Sequence, residues 1–227
     1  MIRSVTAPNS TGRLALEIAA HVESCESRSV PRLRIVRRAA SKILRGETPQ
    51  RARRVILHLL ADARVPRWFA YELVNQDDRV LGTLTEFDLE RMGHGMATWG
   101  DVDSFGCLVS GPAWREQRIS TDQVMVWAQS PDRWWRRAAL VSTVPLNNTA
   151  RGGTGDPVRT LAICRQLAHD RDDMVVKAMS WALRELAKKD PAKVEIFLAQ
   201  HEADLAPRVL REVRNKLKTG LKNPKPR

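Results

Sequence analysis

Apolar residues in this chain recur at helical spacing in successive helix-length stretches, and short breaks carrying Gly, Pro, Ser, Thr or Asp separate those stretches. No run shows the alternation of a strand bounded by hairpin signals, so the sequence reads as all-α. A first helix starts near Thr11, with Leu14, Leu16, Ile18 and Ala19 apolar. Pro31 suits the first turn of a second, in which Leu33, Val36, Ala40 and Ile43 face inward and Arg32, Arg34, Arg37, Arg38, Lys42 and Arg45 face outward. Gly46 and Pro49 punctuate the entry to a third, and Pro66 opens a fourth with Trp68, Phe69, Leu73 and Val74 to bury. Leu81, Leu84, Phe87 and Leu89 predict one further helix ending near Gly93. The glycines and proline of residues 105–114 predict a weak or broken helix, and Thr121 or Asp122 is the expected cap of the next. After Pro131 the pattern strengthens, with helices at 132–144, 158–169, 172–188, 191–203 and 207–218 around a loop from Leu146 to Pro157.

Helices of this length joined by short turns predict stacked pairs. An internal comparison supports this. Setting position 132 over position 172 lays Asp132-Arg133-Trp134-Trp135-Arg136-Arg137-Ala138 over Asp172-Asp173-Met174-Val175-Val176-Lys177-Ala178. Each has an acidic start, an apolar middle, a cation and an alanine, at a period in the range of HEAT-type repeats. Equivalent positions of successive repeats then line one surface. Residues 1–11, rich in Ser, Thr, Pro and Asn, read as a flexible start, 12–219 as a single repeat domain, and 220–227 as a flexible basic tail.

The chain carries 38 Lys and Arg against 26 Asp and Glu, a net charge of +12. That excess favours a polyanionic partner, because each neutralised phosphate releases counterions, although a merely soluble basic protein fits it as well. Cys25, Cys107 and Cys164 are far apart and form no CxxC, so they read as reduced thiols rather than a disulfide framework or zinc site. The five histidines are equally scattered. No metal and no cofactor is expected. Arg3, Arg13 and Glu17 interrupt the start of the chain, so neither secretion nor membrane crossing is expected, and a cytoplasmic, nucleoid-associated place follows.

Tryptophan and basic residues concentrate in three stretches: Trp99-x-x-x-Asp103, Arg133-Trp134-x-Arg136-Arg137-Ala138-Ala139, and Lys177-Ala178-x-x-Trp181-x-Leu183-Arg184-Glu185. In order and interval this set resembles the AlkD-type DNA alkylation repair glycosylases, and Val30-Pro31-x-Leu33-Arg34 resembles their N-terminal signature. The resemblance covers about residues 14–218. It implies a superhelical stack of HEAT-like repeats (an α-solenoid) whose basic concave face cradles double-stranded DNA. It also implies excision of cationic alkylpurines such as N3-methyladenine and N7-methylguanine, by a monomer, with the lesion left in the duplex.

On that resemblance Asp103 is the catalytic carboxylate, Trp99 and Trp181 flank the lesion, and Arg137 grips DNA. Arg133, Arg136, Lys177, Arg184 and Arg34 are further DNA contacts. The chemistry is consistent: alkylation at N3 or N7 makes the purine a cationic leaving group, and a carboxylate stabilises the oxocarbenium-like sugar left behind. Indole faces attract cations, and a guanidinium suits a phosphate bidentately. Simpler readings stand beside these. Trp68, Trp114, Trp127 and Trp134 read as core, and Asp103 or Asp101 would serve equally as a helix cap. The sequence departs from the family at Gly100, where relatives often carry an acidic residue, in having no aromatic residue before Trp68, and in the long 146–157 loop. A non-catalytic HEAT-repeat protein binding damaged or branched DNA is the alternative function, and a scaffold for an acidic protein partner a third.

Overall fold

The computed structural model describes residues 10–224, so residues 1–9 of the expected flexible start and 225–227 of the expected tail lie outside the described residues. Those described are helical or in turns, with no strand among them. None of their helices is long and apolar enough to cross a membrane. They divide into two compact units, the first ending at Leu84 and the second beginning at Thr85.

The first unit holds α1 (Ser10–Glu23), α2 (Val30–Arg45), α3 (Pro49–Leu60), α4 (Arg67–Asn75) and α5 (Asp78–Leu81). Prolines occupy the first turns of α2 and α3, where their missing N–H costs no hydrogen bond, and Thr48 caps α3 by accepting from Arg51 N. α1 lies on α3 and α2 on α4, burying Ile18, Val22, Leu33, Leu44, Ile56, Leu59, Phe69 and Leu73. Leu44 rather than Ile43 completes the inward face of α2, and Ile43 is exposed.

The second unit is built from α6 (Glu86–Gly93), α7 (Trp99–Phe105), α8 (Gly111–Arg115), α9 (Thr121–Ala128), α10 (Arg133–Ser142), α11 (Val144–Asn147), α12 (Pro157–Gln166), α13 (Asp173–Leu186), α14 (Pro191–Gln200) and α15 (Pro207–Thr219). One row of helices runs side by side, α7 on α10, α10 on α13 and α13 on α15. A second row, α9, α12 and α14, packs against it. This is the layering of a helical-repeat protein. Helices of the first row begin at Trp99, Arg133, Asp173 and Pro207, so the outer two steps are equal and the middle one is longer. The match of Asp132 with Asp172 extends to the atoms. Ser130 Oγ accepts from Asp132 N and Asp132 caps Trp134 N, while Asp170 accepts from Asp172 N and Asp172 caps Met174 N.

Several boundaries differ from the sequence reading. The helix expected across Leu81–Leu89 is two, because Thr85 and Asp88 form a reciprocal capping box that restarts the chain. That restart leaves Phe87 67% exposed. Ser120, not Thr121 or Asp122, caps α9. Residues 105–114 are not broken: α7 runs through a π-helical turn, Gly106–Ser110, into α8. The glycines there permit close packing. A Cβ on Gly106 would stand 2.6 Å from the Val141 side chain, and one on Gly111 2.7 Å from the Ser142 carbonyl oxygen. Gly111→Ala should therefore cost about 2 kcal/mol by overpacking against backbone, read as a lower urea midpoint. An unchanged midpoint would contradict this close approach.

Candidate functional site

The start of α7 decides which of Asp101 and Asp103 caps the helix. Thr98 caps the helix by accepting from Asp101 N, and Asp101 reaches back to Thr98 N, so the capping box uses Asp101 and leaves Asp103 without a capping role. Trp99 and Asp103, four residues apart, share one face of α7. Trp99 is 62% exposed, a large cost in unburied apolar surface for a residue serving only the fold.

Asp103 meets Arg137, at the equivalent place on α10, the fifth residue of its helix as Asp103 is of α7. Arg137 Nε donates to Oδ1 at 2.9 Å and Nη2 to Oδ2 at 2.9 Å, while Nη1 donates to the Met174 carbonyl at the start of α13. This single guanidinium ties three neighbouring helices and is 5% exposed. The fork expected to hold a phosphate holds Asp103 instead. Burial pushes the Asp103 carboxyl above the ordinary carboxylate range, and the charge and hydrogen bonds of Arg137 offset part of that rise.

Trp181, half-exposed on α13, comes from the third helix of the same row. Its neighbour Ser180 is buried and donates to Glu212 Oε2 at 2.6 Å, and Arg184 Nε donates to Ser180 Oγ at 3.1 Å. Burial pulls the Arg184 guanidinium below its usual range, with Glu212 opposing. Lys177 is exposed and pairs with Asp173 at 2.6 Å. Arg133 is exposed, lies 4.8 Å from the Trp134 ring centroid and 3.6 Å from Asp172.

Arg136 is used by the fold. Its Nε donates to Asp170 at 2.7 Å and its Nη1 to the carbonyls of Ser130 and Pro131, linking the turn before α10 to the turn before α13. Arg34 belongs to the first unit, where it shares Glu72 with Arg37 and stands over Trp68. Trp114 and Trp127 are buried as read. Trp134 is only half-buried beneath Arg133, and Trp68 is also half-buried. The tryptophan of α10 that turns toward the core is Trp135, against Trp127 at 5.1 Å and Phe105 at 6.1 Å, over the Gly93 backbone.

One face of α7 thus carries an exposed indole and a half-buried carboxylate, with the buried guanidinium of Arg137 paired to that carboxylate. A family described as DNA alkylation repair enzyme matches residues 25–217. The chain belongs to the DNA alkylation repair enzyme family. No curated protein matches it. DNA alkylation repair is therefore its general activity and DNA its substrate, and the helical layering agrees with the resemblance noted in the sequence. Sequence reasoning missed Met174 and Asp170 as hydrogen-bond partners of Arg137 and Arg136, and Glu212, which reaches Arg184 through Ser180. Asp170 was in reach, since the shift that aligns Asp132 with Asp172 also aligns Ser130 with Asp170.

Removing Arg137 leaves the half-buried Asp103 without its counter-charge, and Arg137→Met should lose about 3 kcal/mol at neutral pH. The sign with pH follows from the direction of the carboxyl shift. A carboxyl raised in the folded state is favoured when protonated, so the deficit of Arg137→Met is full above the raised folded value and shrinks as pH falls through it. Chemical denaturation across a range from weakly acidic to neutral pH checks this, and a deficit that grew on acidification would contradict the pairing.

Proposed function

We propose that this DNA alkylation repair protein is a monofunctional DNA glycosylase for cationic alkylpurines, with Asp103 as its catalytic carboxylate. The observation that carries the reading is the division of labour in α7: Asp101 completes the cap, and Asp103 stands one turn from exposed Trp99 with its charge supported by Arg137. N3-methyladenine and N7-methylguanine are the substrates that fit it, and bulkier N3 or N7 adducts belong to the same chemical class.

In the reaction the C1′–N bond breaks and its electron pair moves to the purine, cancelling the positive charge that alkylation placed there. The base leaves neutral, so no general acid is required. The sugar becomes oxocarbenium-like, and the Asp103 carboxylate stabilises it and holds the water that adds to C1′ and then loses a proton. Arg137 keeps Asp103 ionised and fixed rather than touching the DNA. The faces of Trp99 and Trp181 favour a cationic nucleotide over a neutral one. Arg133, Lys177 and Arg184 supply charge for the phosphates.

The test is release of 7-methylguanine and 3-methyladenine from methylated duplex under single-turnover conditions. Asp103→Asn should lower the rate by about 100-fold or more while retaining duplex binding. Trp99→Ala should also slow release, through lost contact with the charged nucleotide. Release by Asp103→Asn at the parent rate would sink the mechanism. Duplex binding by the parent protein with no base released would favour the non-catalytic alternative.

A further inference from the structure

The step along the chain from the start of α10 to the start of α13 is longer than the steps on either side of it. The excess lies in the segment after α10, which contains α11, a 3-10 turn at Thr149–Arg151 and the chain to Asp156. The sequence marks this stretch only as a long loop carrying Arg151. In the structure it is a docked arm.

Asn147, with no exposed surface, organises it: its Nδ2 donates to the Thr143 carbonyl and to Thr160 Oγ1, and its Oδ1 accepts from Asp156 N. Gly153 sits so close to the backbone of Pro145 to Asn147 that a Cβ would stand 2.5 Å from the Pro145 oxygen. Gly152 takes φ 82°, a left-handed turn that any side chain would strain. Asn148 donates to buried Glu185 on α13 at 3.0 Å, and Lys189 donates to Thr149 at 2.8 Å. Arg115 on α8 holds the Arg151 carbonyl. The backbone of Arg151 is thereby fixed between the helices that carry Asp103 and Trp181.

Its side chain answers a defect in the helix that carries Asp103. In the π turn Gly111 N donates to the Gly106 carbonyl, so it does not serve the Cys107 carbonyl as it would in an α-helix. The π-helical donor to Cys107 would be Pro112, which has no N–H. Arg151 Nη1 lies 3.5 Å from that carbonyl and supplies the donor. Cys107 follows Asp103 by four residues, so this contact sits one helical turn from the carboxylate. Among the described residues no carboxylate pairs with Arg151, which is exposed, whereas Arg136, Arg137 and Arg159 all bind one. A guanidinium whose backbone and one nitrogen are anchored, with its remaining donors free beside a DNA-directed site, is preorganised for an oxyanion.

We propose that Arg151, delivered by the 146–157 arm, is a DNA phosphate contact flanking Asp103. The proposal rests on the reading of the second unit's α7, α10 and α13 as a DNA site, and it assigns the arm a role in substrate binding. The experiment measures affinity of the full chain for an undamaged duplex by fluorescence anisotropy over a range of salt. Arg151→Met should lower the slope of log K against log salt by about 0.9 and weaken binding roughly tenfold at low salt. Arg151→Lys should restore most of the slope because it restores the charge. Lys193→Ala, a control cation on α14, should leave the slope unchanged.

If Arg151 served only to satisfy the Cys107 carbonyl, both Arg151 variants would lose thermal stability and keep the parent slope, and that result would overturn the proposal. Because the duplex carries no lesion, the readout is independent of base release. Steep binding by a parent protein that releases no base removes the glycosylase reading and leaves the Arg151 contact standing. Base release by the parent with an unaltered slope in Arg151→Met removes the contact alone.

Discussion

A guanidinium buried to 5% exposure has to find a partner for every donor it turns inward, and in this protein Arg137 does so across three helices. Its two-pronged bond to Asp103 fixes α7 against α10, and its third donor fixes α10 against the first turn of α13. The register between successive repeats of the second unit is thus set at the same point where the carboxylate of the proposed site is held. Such a pair adds little net stability against a well-packed apolar alternative, since desolvation offsets most of its attraction, but loss of one partner is expensive. Its use is geometric. Both carboxylate oxygens are engaged, so the Asp103 side chain has one orientation, on the face of α7 that also carries Trp99.

The neighbouring polar links repeat that logic at shorter range. Arg136 bonds the turn before its own helix to Asp170 in the next, Asn148 bonds the arm to Glu185, and Ser180 relays Glu212 on α15 to Arg184 on α13. Each joins one repeat to the following one rather than closing a contact within a helix. The longer step between α10 and α13 is taken up without loosening the row, because the added chain is folded into an arm with a buried asparagine at its centre. The π turn is the counterpart of that arm on α7: the carbonyl it frees is the one that Arg151 reaches. An insertion in one repeat and a helical irregularity in another answer each other across the row.

Much of this was legible in the sequence for identifiable reasons. The internal alignment succeeded because Asp132 and Asp172 perform the same capping act, and a cap is a local device that residue type alone announces. The prolines at the starts of α2, α3, α12, α14 and α15 were equally readable, since an N–H missing from a first turn is missing nowhere that matters. Glycine misled where its reason was tertiary. Gly106 and Gly111 look like helix breakers in a one-dimensional reading, yet they are small because Val141, Ser142 and Pro145 press against them. Trp134 and Trp135 are adjacent and chemically alike, and only the packing of Trp127 and Phe105 decides that the second turns toward the core.

By itself the sequence determined the helical class, the repeat, the order of the tryptophan and arginine motifs and, through them, the family. Those properties depend on spacing along the chain and on local hydrogen-bonding habits, both of which a string of residues contains. Tertiary structure alone decided what each charged group faces. Asp101 and Asp103 are two residues apart and equally able to cap; the Thr98 box takes one, and Arg137 on a different helix takes the other. Arg136 and Arg137 are neighbours in sequence, and they point to different carboxylates because successive helical positions diverge by about 100°. Charge partners are chosen by helices from different repeats, at distances along the chain that no local pattern records.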